Sequence, residues 1–292
     1  MAHEKHQQEA RRIPRWAAAL IERLTQDRPA VVSRADIAEY LTDLNNIRDV
    51  DDTVRQLVRL DWLQPTSSQG IWAFVPLGEV GADDPYLTLR AWRAKSPDAV
   101  FALAGEAAAW HLGYLDRRYV GPTRVWIPEG DRLPFGARSL LAVVHLGWSI
   151  DTARSIGPSR TLLRRRGLDL TRWAAGLPAF GPEALIAQLA IRPSSFTPWA
   201  DLADHLPDTV RDCDADVIAG LLVDQSPTAW QRAAYLAHAG GRHELADELL
   251  AHRKSGPLPH VFLGTSGDGV YSPKFSVTDR LVAPRLLVGG KA

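Results

Sequence analysis

The sequence holds 292 residues, 46 % of them hydrophobic, and its 34 basic and 34 acidic side chains cancel to a formal charge of zero. That length suits two domains with at least one sizeable core, and the balance excludes a globally basic field, so any affinity for nucleic acid has to come from local clustering of cations. The single cysteine, Cys213, excludes an internal disulfide and a cysteine-only zinc site and suits a reducing compartment. The polar start "MAHEKHQQEARR" carries no secretory apolar segment, and no run of about 18 apolar residues follows it, so no membrane partner and a cytoplasmic location are expected.

In chain order, "IPRWAAALIERL" predicts a core-facing helix with Ile13, Trp16, Ala17, Leu20 and Leu24 on one face and Pro14 in the first turn. After the breaker in "TQDRP", Ser33 three residues before Asp36 is a shortened capping box, and Ile37, Leu41 and Leu44 form the inward stripe of a second helix starting near Arg34. A third helix begins at "DVDDTVRQLV". Its Val50, Val54, Leu57 and Val58 face inward, which turns Asp52, Arg55, Gln56 and Arg59 outward. "WLQPT" and "IWAFV" then flank "SSQG", with Gly70 placed where a tight hairpin needs positive φ. Three helices followed by a hairpin predict a winged helix-turn-helix over residues 1–82, whose third helix and wing would meet double-stranded DNA.

The acids that open the third helix have a local explanation. Asp49 as N-cap and Asp51 and Asp52 in the first turn satisfy free N–H groups and face the positive end of the helix dipole. Asp51 also precedes Arg55 by four residues, a favourable ion-pair spacing. The alternative role is that one of these carboxylates accepts a hydrogen bond from a cytosine amino group. Arg55, Gln56 and Arg59, with Asp52 and Thr53 counted on the same helix, are the candidate DNA contacts; Arg11, Arg12, Arg15, Arg34 and Arg48 would add phosphate contacts. The wing offers Ser68 and Gln69 but no cation, and residues 1–80 hold 10 basic against 12 acidic side chains.

A Gly/Pro/Asp-rich stretch near residues 76–86 marks the expected domain edge, with a larger α/β domain over 83–292. "PDAVFALAGEAAAWHLGYL" reads as a buried helix, and "TRVWIP" and "SLLAVVHLGW" read as strands. From "GPEALIAQLAI" through "HELADELLAHR" the signals are helical, which predicts an α+β protein whose second domain ends in a helical bundle.

Catalytic and metal signals are weak. "HELAD" has Asp247 where a zinc-protease helix needs its second histidine, and "DCDAD" has Val217 where a calcium loop needs glycine. "GTSGDG" lacks the Lys and Ser/Thr of a phosphate loop and reads as a hairpin or loop. His111, in an apolar segment, reads as a buried, hydrogen-bonded histidine, with a role as a ligand the alternative. No enzyme activity, cofactor or metal site is expected.

The stretches "AGEAAAWHLGYL" (104–115), "GPTRVWIP" (121–128) and "GLPAFGPEALIAQLA" (176–190), following a winged helix, resemble the AbiEi-type transcriptional antitoxins of abortive-infection toxin–antitoxin systems. Trp110, His111, Leu112 and Gly113 match a Leu-His-Gly-Leu-like stretch, Val125 to Pro128 a strand ending in proline, and Pro182, Glu183 and Ala184 a helix start. Glu106 and Ala107 stand where that pattern has serine, and no arginine follows Glu183. The resemblance implies an N-terminal domain that represses its own promoter through an inverted repeat, and a C-terminal domain that counters a nucleotidyltransferase-like toxin. It also implies a basic face on the second domain, for which "ARSIGPSRTLLRRRG" with Arg154, Arg160, Arg164, Arg165 and Arg166 is the candidate; a solvated charged face is the alternative. A winged-helix regulator whose second domain senses a small ligand or another protein is the alternative function.

Overall fold

The computed structural model describes residues 13–79, 81–253, 256–265 and 267–283. The chain forms two compact units, residues 1–99 with 133–140, and residues 100–132 with 141–292. Among the described residues the architecture is α+β, built from helices and three small sheets.

Unit 1 runs α1 (Ala18–Asp27), β1 (Val31–Ser33), α2 (Arg34–Asp43), α3 (Val50–Arg59), β2 (Leu63–Pro65), β3 (Ile71–Phe74) and α4 (Leu87–Lys95). Ala17, Leu20, Leu24, Ile37, Leu41, Val54 and Leu57 close one core, as the helical spacing requires. Ile13 lies before the first turn and is exposed, against expectation. The capping box forms: Asp36 N–H donates to Ser33 Oγ at 3.2 Å, and Ser33 N–H to the Asp36 carboxylate at 2.6 Å. Ser33→Ala removes an acceptor for an orphan donor at the helix start and should cost about 1 kcal/mol in urea denaturation. An unchanged midpoint would mean that water replaces the cap. Asp49 caps α3 by accepting from Asp52 N–H at 2.8 Å.

β2 and β3 pair antiparallel with Pro65 opposite Trp72, and Gly70 takes φ +80° in the turn between them. β1, not foreseen from the sequence, adds to the other edge of β3 to give the order β1-β3-β2. Helix α4 packs on β1 and β3. Residues 133–140 complete this unit, with Leu133 and Ala137 buried.

Unit 2 opens with β4 (Ala102–Leu103), α5 (Gly105–His111), β5 (Thr123–Trp126) and β6 (Leu141–Val144), the strands in order β4-β5-β6. The long helix expected over "PDAVFALAGEAAAWHLGYL" is thus a strand and a short helix. Leu103 pairs with Val125, and its N–H and C=O also bond Pro178 and Phe180. Gly105 has φ +52° and cannot continue a helix backwards.

Then follow α6 (Arg160–Arg165), α7 (Pro182–Ile191), α8 (Trp199–Arg211), α9 (Ala215–Leu222), α10 (Pro227–Ala239) and α11 (His243–His252). Helix α7 is buried along nearly its whole length and packs against α5, α8, α9 and α10, so it forms the axis of the unit. Trp126, Trp148 and Phe180 meet at centroid distances of 5.7 to 6.4 Å beside it.

The expected helical ending is corrected. β7 (Val261–Leu263), β8 (Val270–Ser272) and β9 (Val277–Asp279) form a sheet after α11 in the order β7-β9-β8. "GTSGDG" therefore links two strands that are not paired with each other, a loop rather than a hairpin. Asp279 is buried and accepts from Tyr235 Oη at 2.8 Å and from the N–H groups of Leu281, Val282 and Ala283 at 2.6 to 2.9 Å, which ties the sheet to α10. No described helix is long and apolar enough to cross a membrane.

Candidate nucleic-acid interface

Helix α3 buries Val54 and Leu57, which leaves Arg55 and Arg59 exposed, Arg55 with 75 % of its side chain open. The acids beside them are matched within the unit. Arg34 grips Asp51 with two hydrogen bonds, Nε to Oδ1 at 2.8 Å and Nη2 to Oδ2 at 3.2 Å. The Arg34 hydrogen bond holds the Asp51 carboxyl below its ordinary value, and the same bond raises the guanidinium. This pair replaces the expected Asp51–Arg55 ion pair; Arg55 instead donates Nε–H to the Asp51 carbonyl at 3.3 Å.

Asp52 is a hub. Its carboxylate accepts from Arg48 Nη2 at 3.0 Å and Gln56 Nε2 at 2.8 Å, and Arg55 Nη2 stands 3.8 Å away. Its oxygens are thus held by its own chain, and Gln56, half-buried, is turned toward it. Arg48 also lies over the Trp16 ring at 4.1 Å. Thr53 is corrected: it is 0 % exposed, with Oγ1 donating to the Asp49 carbonyl at 2.8 Å, so it cannot reach a ligand. Arg15 is exposed before α1, and Arg11 and Arg12 lie outside the described residues.

In the β2–β3 turn Gln69 is exposed and Ser68 is half-buried, its N–H donating to Thr66 Oγ1 at 3.2 Å. The loop 133–140 reaches this turn. A Cβ at Gly136 would stand 2.2 Å from the Ser67 carbonyl oxygen, so the backbones touch there and only glycine fits. The sequence held no local signal for this approach, because the loop is far from the turn in the chain.

The arginine cluster divides. Arg160 and Arg164 are exposed on α6, whereas Arg165 and Arg166 both pair with Asp212 at the end of α8. Arg166 is the inward one: Nε donates to Asp212 at 2.8 Å, Nη1 to the Leu112 carbonyl at 2.8 Å, and the guanidinium covers the Tyr114 ring at 4.5 Å. These bonds give Arg166 a structural role within unit 2. His111 is half-buried, and the loss of solvation pulls its pKa down to about 4, so the imidazole is neutral at pH 7. Among the described residues no group of three His, Cys, Asp or Glu could hold a metal ion.

Residues 99–239 match the family model described as the AbiEi antitoxin C-terminal domain. That match identifies the chain as a member of the AbiEi-type antitoxin family through its C-terminal domain. The chain is similar to the solved RV2827C protein from Mycobacterium tuberculosis, with 45 % identity, 96 % of this chain and 97 % of that chain covered, and a TM-score of 0.87. No curated protein matches it.

Proposed function

We propose that this chain is a cytoplasmic DNA-binding autorepressor as well as an antitoxin, with unit 1 acting as a winged helix on its own promoter and unit 2 countering a nucleotidyltransferase-like toxin. The observation that carries the DNA-binding half is the arrangement of α3. Arg55 and Arg59 face outward, while Asp51 and Asp52 beside them are neutralised by Arg34 and Arg48. A helix that exposes cations and pairs off its acids can approach phosphates without the repulsion its sequence implies.

The test is a mobility-shift titration of the full chain on duplex DNA from directly upstream of its own reading frame. Arg55→Ala and Arg59→Ala should each cost about 1 to 3 kcal/mol on that duplex if the side chain reads a base, and weaken all duplexes alike if it meets only phosphate. Undiminished binding by the double variant would remove α3 from the interface. The antitoxin half is tested by co-expression with the product of a neighbouring nucleotidyltransferase-like reading frame: the wild-type chain should restore growth and a chain lacking a folded unit 2 should not.

A further inference from the structure

The turn between β2 and β3 has no cation, and in the reading of unit 1 as a winged helix that turn is the wing. The structure supplies one from elsewhere in the same unit. The segment 133–140 returns to unit 1 and seats its backbone on Ser67, at the turn itself. Leu133 and Ala137 anchor it inward, while Phe135 is 87 % exposed and Arg138 is exposed beside it. The Arg138 guanidinium lies 5.7 Å from the centre of the Phe135 ring, and its Nε donates to the Leu133 carbonyl at 3.4 Å. One aromatic face and one backbone acceptor therefore hold an outward guanidinium next to a cation-free hairpin.

We infer that the loop 133–140 is a second part of the wing, and that Arg138 is a DNA-binding residue contacting the duplex backbone or minor groove beside the Ser67–Gly70 turn. This rests on the reading of unit 1 as DNA-binding. The physical reason is electrostatic. Residues 1–80 carry more acid than base, and each phosphate neutralised raises affinity and steepens its salt dependence. A narrow minor groove concentrates negative potential and draws an arginine in particular. Phe135 is a positioning residue, since its ring fixes the guanidinium. Gly136 is the residue that lets the loop sit there at all.

The experiment is a salt series of mobility-shift titrations with the full chain, on duplex DNA from upstream of its own reading frame and on an unrelated duplex of equal length. Arg138→Gln should lower affinity for both duplexes on the order of tenfold and flatten the slope of log affinity against log salt by about 0.9. Arg138→Lys should keep most of the slope, and Phe135→Ser should lose about threefold in affinity at an unchanged slope. Both side chains are exposed, and unaltered thermal unfolding of the variants confirms that they fold. If Arg138→Gln binds as wild type while Arg55→Ala/Arg59→Ala does not, the loop is no part of the interface and the inference is overturned, with the reading of α3 intact. If Arg138→Gln weakens binding and the α3 variant does not, the loop stands and the role of α3 falls. If the wild-type chain retains neither duplex, the DNA-binding reading fails and takes this inference with it.

Discussion

Glu106→Ala is expected to destabilise the chain by about 4 kcal/mol in urea denaturation, because it strands a charge that α5 was built to neutralise. The Glu106 side chain is 3 % exposed. Its carboxylate accepts from Arg124 Nε at 2.8 and 2.9 Å and from Thr197 N–H at 3.0 Å, while Arg124 Nη2 reaches Thr197 Oγ1 at 3.1 Å. Gln188, also buried, continues the network: its Oε1 accepts from Gly105 N–H at 2.9 Å and its Nε2 donates to Ser195 Oγ at 2.9 Å. α5, β5, α7 and the segment before α8 are thereby locked at one point. Removing the acid leaves Arg124 and the Thr197 amide without their acceptor in a place that water reaches poorly. Removing both charges should be milder than the sum of the two single losses, by about 1 to 3 kcal/mol. Strict additivity in the Glu106→Ala/Arg124→Ala cycle would show that the two side chains act independently and that the network is not what holds α5.

Asp212→Ala should cost about 3 kcal/mol and change the response of the protein to acid. The Asp212 side chain is 3 % exposed and accepts from Tyr114 Oη at 2.8 Å, from Arg166 Nε at 2.8 Å and from Arg165. Burial alone would favour the neutral acid, but the hydrogen bonds from Tyr114 and Arg166 and the charges of the two arginines outweigh it, and the carboxyl titrates below its ordinary value. The sign follows from linkage. A folded pKa depressed below the unfolded one contributes stability that is fully present above the unfolded value, near 3.8, and is lost as pH falls through the folded value. The wild-type chain should therefore lose this stabilisation below about pH 4, whereas Asp212→Ala has already lost it and should show a flatter acid limb. Identical acid limbs in the two proteins would assign the acid sensitivity to other groups. The same network makes Arg166→Gln a destabilising change, so any loss of DNA affinity in that variant has to be separated from loss of fold.

What the sequence disclosed was what lies within one or two helical turns. The Ser33–Asp36 box, the Asp49 cap and the inward Val54 and Leu57 are all set by spacings of three or four residues, and each is present. What it did not disclose depends on residues that only folding brings together. Asp51 has two cations within reach, Arg55 four residues on and Arg34 17 residues back, and the tertiary partner takes the carboxylate. Glu106 and Arg124 are 18 residues apart, and Arg166 and Asp212 are 46 apart. The arginine run of α6 therefore read as a free basic face when half of it was already paired. The strands β1 and β7 to β9 are three residues each, too short for alternation to show. The stretch 100–109, apolar but for Glu106, reads as helix by composition, and the pairing of β4 with β5 and the left-handed Gly105 break it.

Because unit 1 includes residues 133–140, it cannot be finished in the order in which it is made. A ribosome adding about 5 to 20 residues per second needs roughly 2 to 8 s to pass from residue 99 to residue 140, and most of the chain made in that interval, residues 100–132, belongs to the other unit. During those seconds the nascent helices and strands of unit 1 exist without the loop that seats on Ser67. A message cut short anywhere before residue 140 yields a hairpin with that loop incomplete, and translation has entered the second unit before the first can close.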